Sequence, residues 1–112
     1  MQDLMEEMKR MKDELHRSMK MLRQNGEALA RKEHDYQVIK AQEWRRLKAD
    51  GWTSTDLQST IKGQPLVSDA MFERDTARVM YEANQEHINV VKLELRVVEN
   101  QIAREWSSNG EA

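Results

Sequence analysis

Apolar residues over the first 49 positions recur at helical spacing. Leu4, Met8, Met11, Leu15, Met19, Leu22, Leu29, Tyr36, Ile39 and Leu47 follow one another mostly at steps of three, four or seven, which lays them on one stripe of a helix. Between Gln2 and Ala49 no proline occurs, and only Asn25-Gly26 interrupts a run rich in Met, Leu, Lys, Arg, Glu and Gln, the stronger helix formers. The pattern predicts one long helix with Gly26 as the place for a bend or break. Met11, Leu15 and Met19 make two successive four-residue steps, and the stepped positions near Gly26 and Glu33 are not apolar. The stripe therefore departs from a uniform heptad, and a long uninterrupted parallel coiled coil is not the first expectation. A straight helix over this range would reach about 70 Å at 1.5 Å per residue. Either its first turns project or Asn25-Gly26 separates two helices.

The pattern changes over residues 50–68, DGWTSTDLQSTIKGQPLVS, which hold two of the four glycines and the only proline. Gly51 suits the left-handed conformation that follows a helix end, and Lys48 complements the negative end of the helix dipole. A Thr or Ser between Thr53 and Thr55 is placed to cap a short helix carrying Leu57 and Ile61, ended by Gly63 and Pro65. Ser68 then offers a cap for a second long helix, with Asp69 and Glu73 near its positive end. Phe72, Met80, Ala83, His87, Val91, Leu95, Val98 and Ile102 supply its stripe, widened by Val79, Ile88, Val90 and Val97. It is predicted to run to about Trp106.

These elements imply an all-α chain. Residues 1–25 form a Met-rich amphipathic arm that either continues in helix into 26–49 or is set apart from it at Gly26; a connector with its short helix covers 50–68, the second long helix 69–106, and a flexible tail 107–112. The connector reverses the chain, so the expected arrangement is a coiled-coil-like antiparallel helical hairpin. Two helices bury one stripe each against a backbone entropy cost of about 1–2 kcal/mol per residue, which leaves a lone hairpin marginal. Assembly into a homo-oligomeric bundle, with two-fold symmetry as the commonest closure, is the expected remedy. Met5, Met8, Met11, Leu15, Met19, Leu22, Leu29, Val91, Leu95, Val98 and Ile102 are the expected contacts with a second copy or another protein. Six of the eight methionines fall in the first 22 residues, and flexible thioethers suit adaptable helix interfaces.

Composition narrows the chemistry. Charged residues make up 34% of the 112, against roughly a quarter in an ordinary domain, and aromatics only 5%, so any core must be built from aliphatic side chains and Met. A net charge of -2 argues against wholesale coating of nucleic acid or an anionic membrane. Absence of cysteine removes disulfides and thiol nucleophiles. No apolar run approaches the ~18 residues of a membrane span, and no signal-peptide core follows Met1, so a soluble cytoplasmic protein is expected. His16, His34 and His87 have no i, i+4 partner of the kind a helical metal site uses, and the serines sit in no nucleophile-elbow context. Neither an enzyme nor a cofactor is implied. His87, on the apolar stripe, is expected at an interface, where an imidazole titrating near neutrality would make assembly pH-sensitive.

One cluster competes with protein binding. Lys40, Trp44, Arg45, Arg46, Lys48 and Trp52 place four cations and two indoles near the end of the first helix, a combination that meets phosphates and stacks bases. The bland account is that the indoles pack against the connector while the cations stay solvated or cap the helix. Residues 1–50 carry 12 basic and 10 acidic side chains and residues 64–112 carry 5 and 9, so the acidic second helix neutralises the first more readily than it extends a phosphate groove.

The stretches RKEHDYQVIKAQEWRRLKADG, IKGQPLVSDAM and ERDTARVMYEANQEHINVVKLELRVVENQIAREW, with Tyr36, Leu47, Gly51, Gly63, Arg74, Tyr81 and Trp106, resemble small helical proteins of bacteriophages and prophages of Gram-positive bacteria. That resemblance implies phage origin and the bacterial cytoplasm, and transfers no functional residue. The expected function is an adaptor or modulator of a host or phage protein. A nucleic-acid-binding accessory factor in recombination or replication, and a minor virion or scaffold component, are the alternatives.

Overall fold

The computed structural model describes the backbone of residues 1–111 and the side chains of residues 1–108. Helix α1 spans Gln2–Ala49, α2 spans Ser54–Thr60, a 3-10 turn covers Ile61–Gly63, and α3 spans Pro65–Glu111. No strand occurs among the described residues. Helical structure in α1 passes through Asn25-Gly26 without a break. Gly26 has a packing role instead: a Cβ there would lie 3.4 Å from the Tyr81 ring.

The connector follows its sequence signals closely. Gly51 adopts φ +98°. The N–H of Trp52 donates to the carbonyl of Leu47 at 3.1 Å and that of Gly51 to Lys48 at 3.0 Å, the paired bonds of a Schellman stop. The Thr53 hydroxyl accepts from the Asp56 N–H at 3.1 Å and so caps α2. The start of α3 differs from expectation. Pro65, not a residue after Ser68, opens the helix, because its fixed φ is preorganised for the first turn and its missing N–H is one the helix would not use. Gln64 is extended, as a residue before proline tends to be, and its carbonyl accepts from the Ser68 N–H at 2.8 Å. Ser68 is thus inside the first turn. At the far end α3 passes the expected stop at Trp106 and reaches Glu111; of the expected tail, Ala112 lies outside the described residues.

The chain divides into two compact units. The connector unit, Gln24–Tyr81, holds the end of α1, all of α2 and the start of α3. Its core is Tyr36, Leu47, Leu57, Ile61, Val67 and Ala70, with Ile39, Trp44 and Met71 packed against it. Leu57 and Val67 are wholly buried. Ion pairs Lys32–Glu73 at 3.0 Å and Arg74–Glu33 at 3.5 Å tie α1 to an antiparallel α3 here. The Arg74 guanidinium also lies 4.3 Å from the Tyr36 ring centroid, a cation–π contact over a buried ring.

In the terminal unit, formed by Met1–Arg23 and α3 from Glu82 on, Ile88, Val91 and Val98 are buried beside Ser18 and Asn84. The two helices are antiparallel here as well: Met1 N pairs with Glu105 at 3.3 Å, His87 with Glu14 at 3.0 Å, and the Asn84 side-chain amide donates to the Ser18 carbonyl at 3.1 Å.

Burial corrects the predicted stripes. In the terminal unit the covered or half-covered α1 positions include Leu4, Met8, Met11, Leu15, Ser18 and Leu22; in the connector unit they include Asn25, Leu29, Lys32, Tyr36, Ile39 and Glu43. Steps of four and three alternate throughout, the regularity that apolarity alone concealed. Met19 is 51% exposed, and Ser18 at 5% takes the inward position. On α3 the inward positions are Val67, Ala70, Arg74, Ala77 and Tyr81 in the connector unit, then Asn84, Ile88, Val91, Leu95, Val98 and Ile102 in the terminal unit. Phe72, Met80, Ala83 and His87, expected among them, are exposed.

Candidate functional site

The residues expected to touch a partner are mostly used within the chain. Val91 and Val98 are buried, and Met8, Met11, Leu15, Leu22, Leu29, Leu95 and Ile102 are half-buried between the helices. Only Met5 and Met19 of that set are exposed. The helices use most of these side chains to cover each other.

Lys40, Trp44, Arg45, Arg46, Lys48 and Trp52 are also largely committed. Trp44 packs on the core of the connector unit, and the Lys40 ammonium lies 5.8 Å from the Tyr36 ring centroid. Arg46 donates twice to Glu43, at 3.1 and 2.8 Å, and approaches Asp50 at 3.6 Å. That fork holds the Glu43 carboxyl below its ordinary range, and Glu43 in turn raises Arg46. Lys48 donates to Ser54 at 2.8 Å. Arg45 and Trp52 are exposed.

His87 is half-exposed rather than on the inward stripe. Its Nε2 lies 3.0 Å from Glu14, which also accepts from Arg17 at 2.8 Å. Arg17 first, then His87, hold the Glu14 carboxyl below its ordinary range. An open groove of about 530 Å³ runs beside this trio, lined by Arg10, Met11, Val91 and Glu94 among others. Among the described residues no group of His and carboxylates gathers as a metal site. Among the described residues no helix is long and apolar enough to cross a membrane.

The surface that sequence reasoning missed is the outer face of α3. In the connector unit Phe72 is 73% and Val79 64% exposed; in the terminal unit Leu93 is 59%, Val97 55% and Val90 43% exposed. Residues 72, 79, 86 and 93, and 76, 83, 90 and 97, are two series at steps of seven. At 100° per residue they lie roughly 160° around the helix from the inward positions. Periodicity alone ranks Phe72, Val79, Val90 and Val97 with the inward stripe and leaves Leu93 unassigned. The signal was present as a second heptad, masked because the inward positions include Arg74 and Asn84 while the outward ones include Phe and Val.

No family model, curated protein or solved structure matches the chain.

Proposed function

We propose that the chain is a non-enzymatic, coiled-coil-like interaction protein whose working surface is the outer face of α3. The exposure of Phe72 and Val79 in the connector unit carries this reading. A large aromatic held on a rigid helix in water gains by entering a partner's groove, and the i, i+7 spacing of these two residues is that of an amphipathic helix ligand. The partner is another protein, which the chain recruits or modulates. The resemblance to bacteriophage proteins favours a host or phage protein of the bacterial cytoplasm.

A photo-crosslinking amino acid at position 72, exposed to a bacterial lysate, tests the reading. A discrete adduct that disappears when Val79→Asp is added, with the far-ultraviolet spectrum unchanged, is the expected result. No adduct, or one indifferent to Val79→Asp, overturns it. Steeply salt-dependent binding of DNA or RNA that is abolished by reversing Arg45 and Arg46 would put the nucleic-acid reading in its place.

A further inference from the structure

We propose, resting on the interaction-protein reading, that in the terminal unit the occupant of the outer face of α3 is the same face of a second copy of the chain, running antiparallel. Ala83, Glu86, Val90 and Leu93 alternate at steps of three and four, so they form a seam with its own inward and flanking positions. On one flank stand Glu82 and Arg96, two heptads apart and both exposed. Neither takes part in an ion pair within the chain among the described residues.

This flank is self-complementary in one direction only. An antiparallel copy whose two-fold axis lies midway between them sets Glu82 opposite Arg96 of the second copy, and Arg96 opposite its Glu82. In the same register Ala83 layers against Leu93, and Glu86 against Val90. The aliphatic stem of Glu86 covers Val90 while its carboxylate reaches water. On the other flank His87, close to the axis, comes beside His87 of the second copy, each already engaged by Glu14 of its own chain. A parallel copy instead brings Glu82 towards His87, Asn89 towards Glu94 and Arg96 towards Gln101, so no acid meets a permanent cation. Opposite charges at the flanks select partner and direction in helical pairs. Here they select the chain itself.

Sedimentation of the full chain over a concentration series should show a monomer–dimer equilibrium. Leu93→Asp should abolish it while leaving helicity intact, since Leu93 is 59% exposed. Arg96→Glu and Glu82→Arg should each weaken association about tenfold by replacing two attractive pairs with two repulsive ones. An equimolar mixture of the two variants should associate as tightly as the unaltered chain, because both pairs are then opposite in sign. A monomer at every concentration, a dimer indifferent to Leu93→Asp, or a mixture that does not recover would each overturn the proposal. The position-72 adduct is read separately, so a monomeric chain that still forms it loses the second copy but keeps the protein-binding role.

Discussion

At the scale of single residues, Leu57 and Met19 set the contrast between a side chain the fold needs and one it does not. Leu57 is wholly buried in the connector unit, so Leu57→Ala should cost about 2–5 kcal/mol through lost transfer energy and a residual cavity. Met19 is half in water, and Met19→Ala should change stability by no more than about 0.5 kcal/mol. Thermal melts of the two variants check both values; equal losses would mean that Met19 points inward after all. Gly51 is a different kind of requirement. Its φ of +98° is a conformation that costs an L side chain about 1–2 kcal/mol, so Gly51→Ala should lower the unfolding free energy by that much although nothing crowds the site.

At the scale of elements, the connector was legible because its signals are local. Gly51 and Thr53 act through bonds within a few residues, and a cap or a stop is written in the residue that makes it. The long helices were legible as helices for the same reason. Their facing was not, because the inward side of a helix is decided by the partner across from it. Ser18 is inward since Asn84 reaches its carbonyl, and Arg74 since it lies over Tyr36. A reading that ranks positions by apolarity places Met19 and Phe72 inside instead. The seven-residue outer series on α3 was in the sequence from the start, yet only the burial of the other face distinguishes it from core. Gly26 gives an element-scale prediction. A methyl group there meets Tyr81 at an ordinary contact distance of 3.4 Å and removes the flexibility of glycine from the helix interior. Gly26→Ala should therefore stabilise the protein by about 0.5–1 kcal/mol in chemical denaturation; a loss would show that the ring cannot share the space.

At the scale of the whole molecule, charge decides how stability responds to acid. Glu14 in the terminal unit and Glu43 in the connector unit are both held below the ordinary value of 4.5, chiefly by Arg17 and Arg46 respectively. A carboxyl whose folded value is depressed contributes stability that is present above its unfolded value and lost as the pH falls through the folded one. Melting temperature should thus hold steady near neutrality and decline below about pH 4.5, and the double variant Glu14→Gln, Glu43→Gln should show a shallower decline. A double variant with the same acid profile would assign that response to other groups. The pairing of Met1–Arg23 with the stretch of α3 after Glu82 has a consequence for a chain still on the ribosome. Translation at about 5–20 residues per second leaves residues 1–23 waiting roughly 3–12 s before their helical mate begins to be made. During that interval the nascent arm shows Leu4, Met8, Met11, Leu15 and Leu22 uncovered, and it is then, rather than in the finished fold, that a chaperone has most to hold.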